Sequence, residues 1–172
     1  MEKSMDLKQL FAEFGTLSDK SVTVCGWVRT IRASKAIGFI ELNDGTCFKN
    51  LQVVFEDGKI SNFVDISKLN VGSAIYVTGN VVLTPEMKQP FEIHATEIFV
   101  EGDSPSDYPL QKKRHSPEFL RTIAHLRART NLFGAAFRVR STAAYAIHKF
   151  FNENGWLYHI LIIILMIVLM IH

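Results

Sequence analysis

Phe39 and Gln52 fall in neighbouring strand-like runs, on the side that the apolar residues leave open. An aromatic ring beside an amide offers a nucleobase a surface to stack on and a donor and acceptor for its edge. Arg29 and Arg32 lie close by in the chain and supply positive charge. Glu92, on the outward parity of a later run, can accept hydrogen bonds from a base amino or imino group. Lys112 and Lys113 open the basic run Lys112-Lys113-Arg114-His115, which would meet backbone phosphates if a strand were held nearby. Each feature has a plainer alternative: Phe39 covered by another part of the fold, Glu92 a solvated edge carboxylate, the basic run a solvated hinge. Bond-making chemistry finds no support. The sequence has no Ser-His-acid set, Walker loop or HExxH, and its six histidines are scattered without metal-ligand spacing. Cys25 and Cys47 lack a CxxC or a histidine cluster, so neither zinc nor a disulfide framework is indicated.

A sheet must position these residues. Ser21 to Ile31 is rich in β-branched side chains (Val22, Thr23, Val24, Val28, Thr30, Ile31), which suit a pleated surface, and predicts a long strand. Gly38 to Leu42 predicts a second, stopped by a tight turn at Asn43-Asp44-Gly45. Asn50 to Phe55 predicts a third. Strand parity sends Ile40, Leu42, Leu51, Val53 and Phe55 inward and Phe39, Glu41 and Gln52 outward. A short helix is expected within Ser61 to Leu69, then strands over Ala74 to Leu83 and Phe91 to Val100, with Thr84-Pro85 between them. In the last strand Phe91, Ile93 and Ala95 share one parity, Glu92 and His94 the other. Ahead of the sheet, Leu7, Leu10, Phe11 and Phe14 at helical spacing, with Gly15 as C-cap, predict an amphipathic helix over 5–14 that lids the barrel. The order β-β-β-α-β-β matches a five-stranded OB-fold barrel, whose second and third strands commonly bind single-stranded nucleic acid.

Residues 1–102 therefore form the expected barrel domain and 103–116, with Pro105 and Pro109, a linker or hinge. Residues 117–172 begin something else. Ser116 is a good N-cap, with Pro117 and Glu118 in the first turn of a helix predicted to run to about Arg129. A second helix is predicted over Asn131 to Asn154, its apolar stripe formed by Phe133, Ala136, Val139, Ala143, Ala144, Ile147, Phe150 and Phe151, with Gly155 as the stop. Ile160 to Ile171 is continuously apolar but falls short of the roughly 17–25 residues a bilayer span takes, so a membrane anchor is disfavoured. The switch in composition is abrupt enough to read as an altered reading frame. The formal charge of +2 hides an asymmetry: residues 1–110 carry −5 and 111–172 carry +7, as a polyanion-contacting connector or a solvated helix face would.

Two segments, VCGWVRTIRASKAIGFIELNDGTCFKNLQVVF and LQKKRHSPEFLRTIAHLRARTNLFGAAFRVRSTAAYAIHKFF, resemble asparaginyl-tRNA synthetase of the bacterial type, and the likeness runs from about residue 18 to 158. The resemblance implies an anticodon-binding OB domain followed by a linker and the first helices of a truncated class II α+β catalytic domain. It puts Phe39 where the family stacks an aromatic on the central anticodon base, and Gln52 where a glutamine bonds that base. Arg32 matches an arginine that reads the loop in aspartyl relatives, and Glu92 a carboxylate that helps read the first anticodon position. FRVRSTAAYAIHKFFNENGWLY looks like motif 1, the family's dimer helix, without its closing proline. The implied partners are the anticodon loop of tRNA(Asn) and a second copy through motif 1, in the cytoplasm. Motifs 2 and 3, which hold ATP and Mg²⁺ in the full-length enzyme, do not occur in this sequence, so no cofactor and no ligase activity are expected of this chain by itself. A stand-alone module for tRNA or another single strand is the alternative.

Overall fold

The computed structural model describes residues 4–87 and 89–156 of the 172-residue chain. It separates into two compact units, Met1–Ile123 and Ala124–His172. Helix α1 (Leu7–Glu13) precedes strands β1 (Ser21–Ala33), β2 (Ile37–Asn43) and β3 (Leu51–Glu56). Short helix α2 (Phe63–Ile66) then leads to β4 (Ala74–Leu83) and β5 (Phe91–Gly102). These strands close into a barrel in the order β1-β2-β3-β5-β4, every pair antiparallel except β3 with β5. This is the OB-fold that the order of elements predicts.

Alternation along the strands fills the interior. Val24, Val28, Ile40, Leu42, Leu51, Val53, Phe55, Val77, Phe91 and Ile93 are all fully buried. Each such side chain contributes on the order of 1.5–3 kcal/mol by leaving water. Phe63 and Ile66 of α2 join that core, with the Phe63 ring 5.3 Å from that of Phe55. Helix α1 buries Leu7 and Leu10 completely, and the rings of Phe11 and, just past its end, Phe14 each lie 5.0 Å from Phe91, so the segment lids the barrel as its pattern predicts. The chain does not stop at Gly15 as expected, but tightens into a 3-10 turn over Phe14–Thr16.

At Asn43-Asp44-Gly45 the chain turns with Gly45 at φ 81°, the Gly45 N–H donating to Asn43 Oδ1 and the Thr46 N–H to Asp44 Oδ1. The turn opens a longer loop over residues 44–50, in which the same two side chains also make bonds beyond the turn. Asn43 Nδ2 donates to the Cys47 and Lys49 carbonyls, and Asp44 Oδ2 accepts from the Leu7 N–H at 2.7 Å, one of the donors a helix start leaves unpaired. Beyond the barrel, Asn70 Nδ2 donates to the Ser104 carbonyl and Leu110 is buried, so the segment read as a linker is fastened at these points. Helix α3 covers only Pro117–Thr122, capped by Ser116 as predicted. It ends well before Arg129: Ile123 leaves helical geometry at φ −112° and ψ 54°, and Thr122 Oγ1 donates to the Phe119 carbonyl in the last turn. The Glu118 carboxyl is held below the usual carboxylate range by hydrogen bonds from its own backbone N–H and from Ser116.

In the second unit, α4 (Asn131–Glu153) is the predicted second helix, capped by Thr130, and none of its residues is buried. The apolar run Ile160 to Ile171 lies outside the described residues. No helix among those described is long and apolar enough to cross a membrane.

Gly79 marks the tightest backbone approach in the barrel. It lies at the irregularity between β4 and β5, where an added Cβ would run into the His94 carbonyl oxygen and come within 2.8 Å of Ala95 Cα. Backbone cannot swing aside as a side-chain tip can. Gly79→Ala is therefore expected to destabilise the barrel by at least the ~1–3 kcal/mol of core overpacking, read as a lower urea midpoint; an unchanged midpoint would show that the strands part freely.

Candidate nucleic-acid interface

Strand register assembles the outward face in two rows. Arg32 pairs with Phe39, Phe39 with Val54, and Val54 with His94. The second row runs Thr30, Glu41, Gln52 and, one step along the same parallel register, Glu92. A bulge between Val28 and Thr30 decides which arginine takes part. Uninterrupted alternation from Val24 and Val28 would turn Arg32 inward; the extra residue, Arg29, reverses the parity beyond it. Arg32 consequently faces outward with its Cζ 5.9 Å from the Phe39 ring centroid, a cation–π distance.

Hydrogen bonds lock the second row. Gln52 Nε2 donates to Glu92 Oε2 at 2.8 Å, and His94 Nε2 lies 2.8 Å from Glu92 Oε1. The Glu92 side chain is 17% exposed, so both carboxylate oxygens are engaged while its edge still reaches solvent. Because an ionised carboxylate only accepts, the Gln52 amide must turn its NH₂ towards Glu92, which leaves Oε1 as the open atom. No group among the described residues donates to that oxygen. Beside this row opens a cleft of about 660 Å³, lined by Glu41, Phe48, Asn50, Gln52, Gln89 and Glu92 among others. An exposed aromatic, Phe48, lines the same cleft as these amides and carboxylates. This arrangement can stack planar rings and sort donors from acceptors. It has no nucleophile with an adjacent base, and no His, Cys, Asp and Glu grouping among the described residues could hold a metal.

Residues 22–101 match the family model described as an OB-fold nucleic acid binding domain. Over 152 residues, 88% of this chain, the sequence is 62% identical to the asparagine–tRNA ligase of Clostridium perfringens, and over 156 residues 61% identical to that of Acetivibrio thermocellus. The chain belongs to the asparagine–tRNA ligase family. It spans about a third of the length of these curated relatives, 33% and 34% respectively. Among solved structures, asparaginyl-tRNA synthetase from Pyrococcus horikoshii, complexed with asparaginyl-adenylate, matches 91% of the chain at 25% identity with a TM-score of 0.78, over 36% of its own length. The Entamoeba histolytica enzyme matches 80% of the chain at 26% identity and a TM-score of 0.63, over 34% of its own.

Within this ligase-family barrel, Phe39, Gln52, Arg32 and Glu92 share one face. Arg29 does not join them in either row, being the half-buried extra residue of the bulge. Lys112 and Lys113 are exposed ahead of α3, and no ion pair or side-chain hydrogen bond ties them to the rows. Three contributors escape a reading from sequence. His94 shares the parity of Glu92, which signals its side of the sheet but not its hydrogen bond. Asn50, whose Nδ2 donates to Glu41 Oε2, and Gln89, which bonds β3 across the cleft, lie in loops where no periodicity operates.

Proposed function

We propose that this barrel is the anticodon-binding domain of an asparagine–tRNA ligase and that the two-row face takes the anticodon loop of tRNA(Asn). Phe39 stacks on the central base, with the Arg32 guanidinium beside its ring. Gln52 Oε1 accepts the N3–H of a uracil, while Glu92 holds the Gln52 amide in place and takes a donor from the first anticodon base. Lys112 and Lys113 meet phosphates flanking the loop. The observation that carries this reading is the hydrogen bond from Gln52 to Glu92, which fixes the amide with its acceptor outward.

ATP-dependent attachment of asparagine to tRNA belongs, on this reading, to the full-length enzyme in the cytoplasm. ATP and Mg²⁺ serve motifs that these 172 residues do not contain, and the motif 1 helix within α4 contributes to a homodimer only together with the rest of that enzyme.

Uracil and cytosine differ where Gln52 reads. Cytosine presents an acceptor at N3, so acceptor would face acceptor. A hairpin with the anticodon GUU should bind about tenfold tighter than the same hairpin with its central U changed to C, compared at one salt concentration because phosphate contacts make affinity salt-dependent. Equal affinities would remove the reading.

A further inference from the structure

The side chain of Gln89 behaves as a piece of β-ladder. Its Oε1 accepts from the Gln52 backbone N–H at 3.0 Å and its Nε2 donates to the Asn50 carbonyl at 2.6 Å, so one amide brackets Leu51. Bonds to the carbonyl before a residue and the N–H after it are the pattern that a parallel neighbouring strand makes. The neighbour here is indeed parallel: β3 and β5 are in register at Val53 with Ile93 and Val54 with His94, and Gln89 extends that pairing past the start of β5. Its own loop is closed around it. The Thr84 N–H donates to the Pro90 carbonyl, and Thr84 Oγ1 donates to the Gln89 carbonyl, both at 2.8 Å.

We propose that Gln89 is the positioning residue for base readout, fastening the β4–β5 loop to β3 so that Gln52 is presented in a single orientation. Gln52 is held at both ends: the backbone by Gln89, the side-chain amide by Glu92. Without Gln89 the Gln52 N–H and Asn50 carbonyl lose their partners, and the strand end beneath the reading amide is free to shift. Gln89 need not touch the RNA, because its effect passes through Gln52. The inference rests on the anticodon reading above.

Gln89→Met keeps the side chain's length and volume and removes both hydrogen bonds. In the full chain, the backbone amide of Gln52 should exchange hydrogen about tenfold faster than in the wild type. Affinity for the GUU hairpin should fall about tenfold while affinity for the central-C hairpin stays within about twofold, so that discrimination collapses. A fold defect would weaken both hairpins alike, and equal losses would therefore overturn the positioning role. If Gln89→Met keeps the wild-type preference for U, the inference fails alone; if the wild type itself shows no preference, the anticodon reading fails and takes this inference with it.

Discussion

Phe39→Ala is expected to lower affinity for the GUU hairpin by roughly 5- to 150-fold, because stacking of a base on an aromatic side chain is worth about 1–3 kcal/mol. The ring is held ready for that contact. Phe39 is half-buried between Arg32 on β1 and Val54 on β3, and Val54 is almost fully covered although it points outward. The ring therefore loses little freedom when a base arrives, and most of the stacking energy appears as affinity. Stacking is tolerant of base identity, since every base has a π-face. Phe39→Ala should thus weaken the GUU and central-C hairpins together and preserve their ratio, the opposite signature to Gln89→Met. Phe39→Trp should restore binding. Fluorescence anisotropy at fixed ionic strength measures all three, and a loss below twofold in Phe39→Ala would show that the base does not sit on this ring.

The second large effect concerns stability. Phe91→Ala should cost about 3–5 kcal/mol, the range for removing a buried phenylalanine. Phe91 is fully buried, and its ring meets both Phe11 and Phe14 at 5.0 Å. Truncation opens a cavity and removes the surface on which α1 docks. A helix of seven residues has no stability of its own, so it stays in place only through tertiary packing. Against a typical domain stability of about 5–15 kcal/mol, the loss is a large fraction. A urea titration followed by circular dichroism reads it directly, with Phe99→Ala, 59% exposed on β5, as the control expected to stay within about 0.5 kcal/mol. A change below about 1 kcal/mol in Phe91→Ala would mean that the neighbouring rings refill the space. Phe91 precedes Glu92 in β5, so the variant should also disturb base reading, but only in proportion to the fraction unfolded.

Much of this architecture is visible before any coordinates. Each strand shows in its β-branched content and alternation, and Ser116 caps a helix where the sequence predicts a start. Phe39, Glu41 and Gln52 could be placed on the outward side because parity within one strand is a local property. The segments that resemble asparaginyl-tRNA synthetase supply the family, and the identities of 61–62% to curated ligases agree with it.

Long-range contact settles the rest. Simple alternation misplaces Arg32, because one extra residue at Arg29 inverts every side chain after it and carries no mark in composition. Asn43 and Asp44 have the chemistry of a turn and make one, yet Asp44 also accepts from the first N–H of a helix that starts 37 residues earlier, a use that local spacing does not show. Gln89 is 37 residues from the β3 backbone N–H it accepts from, and Glu92 40 from the amide it accepts from. Spacing along a chain governs neighbours within a few residues, and so it yields strands, caps and faces. Which acceptor meets which donor across the barrel depends on closure of the sheet, and the two-row face exists only once β3 and β5 lie side by side.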